Sequence, residues 1–320
     1  MQYGPHVRAL GVYLYHYQLV PLARTCELLA DLYGCHRRSQ GTLATWVQRA
    51  ARTLGPTVAR IAELLIASPR QHGDETGVRV EGKGGWVHVN STKWLTHLAW
   101  HPKRGRQALD AIGIWPRFHG RAMHDRWASY DRYACAHSVC GAHLLRDLTY
   151  VEEEEHQVWA LEMKDLLLSM HAAAAEWRQR GAASVPTEER VQWQARYFEV
   201  RAAGFAAQAP PATSETPQRR GRRKQSAAKN LLDDMLRRAD QVLAFVEDLR
   251  VPFTNNQAER DLRMLKVQQK IAGTFRGQKG ATAFCRIHSY LSTMRKQGPA
   301  MLAALAAVFV GKPLPVAWGT

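Results

Sequence analysis

Apolar residues recur at helical spacing through the first seventy positions of the chain. The stretch LARTCELLADLYG (22–34) repeats them every three or four residues and stops at Gly34. The pattern resumes in RRSQGTLATWVQRAARTLG (37–55), where Ser39 or Thr42 is a suitable N-cap. The sequence therefore predicts two short helices joined by a tight turn.

This helical pair has two interpretations. One is a helix-turn-helix whose second helix enters a DNA groove, and the other is an ordinary helical hairpin. In the first interpretation the side chains directed at DNA are those of Thr45, Gln48, Arg49 and Arg52.

The pattern changes to alternation after residue 70. GVRVEGKGGWVHVNST (77–92) alternates around a glycine-rich turn and KWLTHLAWHP (93–102) extends it, so we expect three antiparallel strands within 71–101. A short helix follows in RGRQALDAIGI (104–114), and FHGRAMHDRW (118–127) is typical of a further strand that ends in an acid. This order of elements predicts an α/β domain with a mixed sheet.

The second half of the chain is mostly helical in pattern. Helices are expected over 141–207, where the acidic cluster EEEE (152–155) is most simply a solvated helix face, and again in LLDDMLRRADQVLAFVEDL (231–249). Between them, 209–230 is poor in apolar residues, which predicts a flexible linker. The positive charge of this linker predicts contact with DNA phosphates, and the alternative is a solvated basic loop. The charge comes from Arg219, Arg220, Arg222, Arg223 and Lys224.

Composition narrows the function classes. With 320 residues and 46% apolar content, the chain is long enough for two modest domains or one large domain with insertions. It has 44 Lys and Arg against 28 Asp and Glu, a net charge of +16, which suits a polyanionic partner and favours nucleic acid over an acidic membrane. No stretch approaches the roughly 20 apolar residues of a membrane span, and no secretory signal begins the chain, so we expect a cytoplasmic, nucleoid-associated protein.

The five cysteines do not indicate a disulfide framework, because their number is odd and nothing suggests export. Only CAHSVCGAH brings potential zinc ligands together, and the spacing of Cys135, Cys140 and His143 matches no established zinc motif. We expect reduced thiols.

Three acids stand where catalytic carboxylates are useful. Asp74 enters the first predicted strand, Asp125 closes the fourth, and Glu259 opens a late helix. Converging carboxylates can hold a pair of magnesium ions about 3.5–4 Å apart for phosphoryl transfer. Each acid also has a purely structural interpretation, namely a turn residue, a helix cap and a capping-box acid respectively.

The helix of Glu259 adds a second signal. With Asn256 as N-cap, Glu259 is the third helical residue, from which a capping-box acid reaches back to the cap. Arg263, Lys266 and Lys270 follow within roughly 40° of Glu259 around the helix axis. Glu259 can pair with Arg263, but the two lysines have no acid at helical spacing on that face, and DNA phosphates would satisfy them.

Several blocks of the chain resemble, in order, the insertion sequence sixty-six family of bacterial transposases. They are HGDETGVRVEGKGGWVHVNST, HPKRGRQALDAIGI, MHDRWASYDRYACAHSVCGAHLLRDL, TNNQAERDLRMLKVQQKIAGTFRG and FCRIHSYLSTMRKQG. The resemblance extends from about Tyr3 to Leu314.

The resemblance implies a ribonuclease-H-like catalytic domain of the DDE class, with a five-stranded mixed sheet and a helical insertion before the last acid. Asp74, Asp125 and Glu259 match its first, second and third catalytic acids, which would bind two Mg²⁺ ions, with Mn²⁺ as a substitute. We expect a helical DNA-binding region at 1–69 and the first part of the catalytic domain at 70–140. The helical insertion would occupy 141–250, including the flexible linker 209–230. The catalytic helix at 251–282 and a helical segment at 283–320 would follow.

The block CGAH is similar to a C-x-x-H element found between the second and third acids in several DDE families. It implies that Cys140 and His143 are a structural or strand-positioning pair, and a satisfied core histidine is the alternative. Family members usually carry more sequence before the first block, including a zinc-finger-like segment. A further interpretation is therefore a shortened copy that keeps its active site but has lost its recognition of transposon ends.

The resulting hypothesis is a DNA transposase that cleaves and transfers strands of double-stranded DNA. It would act as a homo-oligomer on DNA, with accessory proteins of the same element as further partners. The alternatives are an inactive relic that only binds DNA and a ribonuclease-H-like nuclease that cuts without joining.

Overall fold

The computed structural model describes residues 3–34, 39–208 and 225–318. The chain folds into two compact units. The first unit contains residues 1–122, 127–136 and 256–320, and the second contains 123–126 and 137–255. Both strand-forming and helical segments contribute to the first unit, whereas the second is largely helical.

The first unit begins with helices at the expected positions. In the described residues these are α1 (Pro5–Val12), a π-helical turn (Tyr13–Tyr17), α2 (Leu22–Tyr33), α3 (Gln40–Thr53) and α4 (Gly55–Ile66). Gly34 ends α2 in the left-handed conformation, which glycine adopts without steric cost. Ser39 is the N-cap of α3, and its hydroxyl accepts a hydrogen bond from the N–H of Thr42 at 3.2 Å. The prediction of two helices is confirmed, and residues 35–38 between them lie outside the described residues.

A five-stranded mixed sheet follows, with the strand order β3-β2-β1-β4-β5. Its strands are β1 (Arg70–Val80), β2 (Lys83–Ser91), β3 (Thr96–His101), β4 (Arg121–His124) and β5 (Ala136–Val139). The first three are antiparallel neighbours, as the alternation predicted. Helix α5 (Arg106–Ile112) and short 3₁₀ turns (Trp115–Arg117 and Tyr130–Arg132) lie between the later strands.

The first unit closes with α11 (Asn256–Ala272), α12 (Gln278–Gln297) and α13 (Met301–Phe309). Helix α12 covers the exposed edge of β3 through its hydroxyl side chains. Ser289 Oγ accepts from the N–H of Leu98 at 2.8 Å, and Thr293 Oγ1 accepts from the N–H of Thr96 at 3.0 Å. The unpaired amides of an edge strand are thereby satisfied inside the unit.

The second unit packs α6 (Gly141–Glu155), α7 (Val158–Gln179), α8 (Thr187–Ala206), α9 (Ala227–Arg237) and α10 (Ala239–Glu247) around one apolar core. The continuous helix expected over 231–249 is wrong, because the backbone is interrupted at Arg238 between α9 and α10. Helix α9 begins at Ala227, capped by Ser226, and so starts inside the predicted linker 209–230. Residues 209–224 lie outside the described residues.

Two sequence expectations about the acids need correction. Asp74 does not enter β1 but is the fifth of its eleven residues, since β1 begins at Arg70. Helix α11 begins at Asn256, one residue earlier than expected, so Asn256 is its first helical residue and Glu259 its fourth. Neighbouring asparagines are both good caps, and sequence alone does not choose between them.

Candidate active site

Asp74 lies on the face of β1 that packs against α11. Side chains alternate along a strand, so Asp74 shares its face with Val78 and Val80, which form one apolar cluster with Leu262 and Leu265 of α11. The Asp74 side chain is half-buried, and its Oδ1 accepts a hydrogen bond from the N–H of Glu75 at 2.8 Å. The register of β1 thus directs this carboxylate toward the helix that carries Glu259.

The glycine before Asp74 is required by packing. A Cβ at Gly73 would lie 2.4 Å from Cζ2 of Trp115, a fully buried side chain. Only glycine lets β1 approach the indole ring this closely. The backbone next to Asp74 is therefore fixed by the core.

Glu75 adjoins the candidate site, and the sequence analysis did not single it out. Its side chain is buried on the face of β1 opposite Asp74, and it accepts hydrogen bonds from Arg104 at 2.7–2.8 Å and from the hydroxyl of Tyr130. Arg104 in turn lies over the rings of Trp86 and Trp127, at 4.8 and 4.4 Å from their centroids. The sequence signal for Glu75 is the pair of adjacent acids in HGDETG. Because side chains alternate between the two faces of a strand, the two acids must lie on opposite faces.

Asp125 immediately follows β4, the strand next to β1 in the sheet. The residues on either side of it are held in the second unit. His124 is buried and its Nε2 lies 2.9 Å from Nδ1 of His137 on β5. Arg126 forms ion pairs with Asp147 and with Asp234, the latter at 3.2 Å. The half-buried Asp125 carboxylate is therefore carried by a fixed backbone.

Burial of the neighbouring arginine has an electrostatic cost. Desolvation lowers the pKa of Arg126, although the charge of Asp234 and its hydrogen bond oppose this effect. Asp234 also accepts from the fully buried Arg238 at 3.0 Å and from the exposed Arg237 at 2.6 Å, so that one carboxylate of α9 is paired with three arginines. The helices of the second unit thus supply the counter-charges that hold the segment after β4.

Glu259 is exposed in the first turn of α11, and it heads the row of cations that helical spacing predicted. Arg263, Lys266 and Lys270 are also exposed, and the first two line a surface depression together with Glu259. In the described part of the chain none of these four side chains has an ion-pair partner within 4 Å, so the alternative i, i+4 pair of Glu259 with Arg263 is not formed. These cations therefore remain available to a polyanion.

A buried ion pair anchors the inner face of α11. Asp261 Oδ2 accepts from Lys296 Nζ of α12 at 2.7 Å and from Thr96 Oγ1 at 3.2 Å. Lys296 Nζ also donates to the carbonyls of Thr92 and Leu95, both at 2.9 Å. Burial lowers the pKa of Lys296, while the Asp261 charge acts in the opposite direction. This network fixes the helix on which Glu259 is carried.

Cys140 and His143 begin α6 in the second unit. Cys140 Sγ accepts a hydrogen bond from the N–H of Asn255 at 3.1 Å. Burial acts to raise the pKa of the Cys140 thiol, but hydrogen bonds from His143 and Asn255 outweigh it, so that the pKa is lowered. A Cβ at Gly141 would lie 2.3 Å from the Phe253 ring, which explains the glycine of CGAH. The Cys140 thiol and the His143 side chain are hydrogen-bonded to each other.

The other predicted DNA-contacting residues are only partly described. On α3, Thr45, Arg49 and Arg52 are exposed and Gln48 is half-buried. The basic residues of the linker, Arg219, Arg220, Arg222, Arg223 and Lys224, lie outside the described residues. Among the cysteines that the structure describes, Cys26, Cys135, Cys140 and Cys285 form no disulfide bond. The described helices include none long and apolar enough to cross a membrane.

A helix that presents exposed cations without ion-pair partners among the described residues suits a protein that acts on a polyanion such as nucleic acid. Comparison with known protein families identifies the family to which the chain belongs. The family described as Transposase IS66 family matches residues 1–283, and the chain belongs to this family. A search among curated proteins found no match to the chain.

Proposed function

We propose that the protein is a DNA transposase in which Asp74, Asp125 and Glu259 form a DDE active site on a ribonuclease-H-like fold. The observation that carries the proposal is the orientation of Asp74 on the β1 face packed against α11, within the family match. The strand order, with β4 beside β1, supports the ribonuclease-H-like assignment and accounts for Asp125 as the second acid.

The donor chemistry suits magnesium. Asp74 and Asp125 are half-buried, Glu259 is exposed, and all three offer carboxylate oxygens, the ligands that Mg²⁺ prefers. When bound, a pair of Mg²⁺ ions, or Mn²⁺ in their place, would lower the barrier to phosphoryl transfer by stabilising the attacking and leaving oxygens. The three acids would hold these ions.

The remaining residues position the substrate and the acids. Arg263, Lys266 and Lys270 would bind backbone phosphates of double-stranded DNA, and Arg49 and Arg52 of α3 would add contacts to a transposon end. Glu75 would keep β1 in place from its opposite face, and Asp261 with Lys296 would fix α11. Cys140 and His143 would position a DNA strand or the start of α6.

The overall reaction has two transfers. Water attacks a backbone phosphorus, the bond to the 3′ oxygen breaks, and that oxygen leaves as a hydroxyl. The freed 3′ hydroxyl then attacks a phosphorus of the target DNA and displaces its 3′ oxygen. Two ends must meet for this exchange, which is the reason to expect a homo-oligomer on DNA, with accessory proteins of the element as further partners.

The test is metal-dependent nicking of a duplex that carries the element's terminal sequence. The parent protein is expected to nick in Mg²⁺ and not in EDTA, and Asp125→Ala is expected to bind the duplex without nicking it. The exposed Asp165 of α7 offers a matched control, Asp165→Ala, which should nick like the parent. Equal nicking by Asp125→Ala would contradict the three-acid mechanism.

Two outcomes would assign another function. A parent that binds DNA equally with and without Mg²⁺ and never nicks is a DNA-binding relic. A parent that nicks but does not join pre-cut 3′ ends to target DNA in a strand-transfer assay is a nuclease.

A further inference from the structure

A cavity of about 560 Å³ in the first unit has no role in the proposed cleavage chemistry. It is formed by the π-helical turn and the loop after it, by α3, by the end of α11 and by the start of α12. Its volume lies in the range of small-molecule binding sites. The cavity therefore adjoins both the predicted DNA-reading helix and the helix with the basic row.

Buried polar atoms without partners line this cavity. His16 is only 4% exposed, and among the described residues neither of its ring nitrogens has a hydrogen-bond partner. Oε1 of Gln268, from α11, is buried and unpartnered in the same way. Buried polar groups in folded proteins are nearly always satisfied, so these atoms indicate a ligand that supplies the missing hydrogen bonds.

The ring of His16 is uncharged at neutral pH. Burial, with a smaller contribution from the nearby His288, lowers the pKa of His16 to about 3. A neutral imidazole offers one donor and one acceptor nitrogen. The complementary ligand therefore has both a donor and an acceptor on one edge, and it need not be charged at that edge.

The backbone around His16 is held in rare conformations. Tyr13–Tyr17 is a π-helix, a form that occurs mostly as short segments at functional sites. Leu19, which also lines the cavity, adopts a φ of 57°, a left-handed conformation that leucine rarely occupies. Such strain persists where the surrounding structure requires it, and it clusters at binding sites.

The walls of the cavity are aromatic and its charge is positive. Tyr15, Phe275 and Phe284 line it, together with Arg276. Burial raises the pKa of the Tyr15 hydroxyl, and the Arg276 charge opposes that rise, so a neutral phenol and a guanidinium interact at this wall. Aromatic rings stack on flat heterocycles and arginine binds phosphate.

The floor of the cavity is rigid enough for recognition. The N–H of Phe275 donates to the carbonyl of Arg79 at 2.9 Å, and its carbonyl accepts from the N–H of Glu81 at 2.9 Å, which ties the segment after α11 to the end of β1. Gln48 of α3 donates to the carbonyl of Lys279 at 3.3 Å and joins the opposite walls.

We propose that this cavity receives one unstacked nucleobase of the bound DNA, which stacks on the aromatic wall and pairs its polar edge with His16 and Gln268. Arg276 binds the adjoining phosphate. The inference rests on the proposed function, because it requires that the protein bind DNA. Proteins that extrude a base recognise it through such a combination of stacking and edge contacts.

The test uses photochemical cross-linking to a duplex with one unpaired 5-iodouracil, a base that couples to aromatic rings on which it stacks. The expected cross-links map to Tyr15, Phe275 or Phe284. Ala44 is exposed on α3 and lines the cavity, so Ala44→Trp fills it without disturbing the core. This variant should lower the cross-link yield about tenfold, the value of one lost base stack.

The matched control is Ala303→Trp, at an exposed alanine of α13 that does not line the cavity. It should cross-link like the parent. Unchanged yield in Ala44→Trp, or cross-links that map only to other residues, overturns the inference. Fluorescence anisotropy with the same duplex separates the two proposals: a parent that does not bind overturns the proposed function, whereas binding without a cross-link to the cavity overturns this inference alone.

A second variant distinguishes recognition from folding. His16→Phe removes both unpartnered nitrogens and keeps an aromatic ring of similar size. It is expected to raise the unfolding temperature, because two unsatisfied buried nitrogens are removed, and to lower the cross-link yield severalfold. A raised unfolding temperature with an unchanged yield would assign His16 no part in binding the base.

Discussion

Two acids of α11, only two positions apart, have opposite environments. Glu259 is exposed and has no ion-pair partner among the described residues, whereas Asp261 is 9% exposed and accepts from Lys296, Thr96 and Gln257. The charge of Asp261 is thus compensated inside the unit by an ammonium group, whereas that of Glu259 is not. This difference gives Asp261 a structural role and is consistent with the proposal that Glu259, and not Asp261, is the third acid of the site.

The Lys296–Asp261 pair gives a stability prediction. Lys296→Met leaves the Asp261 carboxylate buried without its counter-charge, which should lower the free energy of unfolding by about 3–5 kcal/mol. Chemical denaturation measures this loss.

The compensating control is the double variant Lys296→Met with Asp261→Leu. It removes both charges and should recover most of the loss, since apolar residues often replace a buried ion pair without penalty. A single variant as stable as the parent would show that the pair does not hold α11 in place.

At individual residues the sequence was informative only where the signal is local. Gly34 could be predicted as a helix end and the N-cap of α3 could be narrowed to Ser39 or Thr42, because a cap acts within four residues of itself. Glu75 and Lys296 could not be assigned, because their partners Arg104 and Asp261 lie 29 and 35 positions away. Such contacts exist only once the strands and helices have packed.

Helix α11 combines an apolar face with a row of unpaired cations. Ala258, Leu262 and Leu265 are buried against the sheet, and the exposed positions on the other side carry Arg263, Lys266 and Lys270. Elsewhere on the surface, basic residues such as Arg180, Arg196 and Lys229 are paired with acids of their own or a neighbouring helix. The unpaired cations of α11 and the paired cations elsewhere can therefore be compared for their effect on DNA binding.

Replacing Arg263, Lys266 and Lys270 with glutamine should weaken duplex binding and reduce its salt dependence. Each lost phosphate contact lowers the slope of log K against log salt by about 0.9, so the three together should lower it by about 2.7. Titration of a labelled duplex at several salt concentrations gives the slope.

The same substitution of Arg180, Arg196 and Lys229 is the control, and it should change the slope by less than about one unit. Equal reductions in the two triple variants would mean that net charge, and not the surface of α11, determines DNA binding.

Periodicity predicted which face of α11 is exposed, because its apolar positions recur every three or four residues. It did not locate the first residue of the helix, since Asn255 and Asn256 are equally good caps in sequence. Alternation likewise predicted β1, β2 and β3, but it placed Asp74 at the start of a strand whose first residues, Arg70 to Gly73, lack a clear apolar pattern. Pairing of His72 with Ser91 and of Gly73 with Asn90 extends the ladder with β2 beyond the part of the strand that alternation predicted.

Across the whole molecule, buried histidines make stability depend on pH. Burial lowers the pKa of His88 and of His288 to about 4, and burial with the charge of His288 lowers that of His16 to about 3. The unfolded chain binds protons on these rings near pH 6.5, before the folded protein does. Stability is therefore fully present above about pH 6.5 and is lost as pH falls toward 4.

We expect the urea midpoint of unfolding to fall steeply between pH 6.5 and pH 4, with each of these histidines contributing up to about 1.4 kcal/mol per pH unit. His288→Gln removes one titrating ring and should flatten the dependence by about one proton. A midpoint that is constant over this range would show that these rings are not buried as neutral groups.

The arrangement of helical and strand-forming segments along the chain was predictable, because the change from helical spacing to alternation near residue 70 is sharp. The division of the chain into two units was harder to predict. Four residues, 123–126, group with the second unit although they follow directly on the first, and their attachment depends on the Arg126 and Asp234 contact between distant segments.

The most direct test of the central claim is Mg²⁺-dependent strand nicking by isosteric variants of the three acids. Asp74→Asn, Asp125→Asn and Glu259→Gln keep the size and much of the hydrogen bonding of each side chain but remove the charged ligand. We predict that all three variants fold and bind the duplex yet nick no faster than the EDTA control, while Asp165→Asn nicks like the parent. Nicking at the parental rate by any of the three would contradict it.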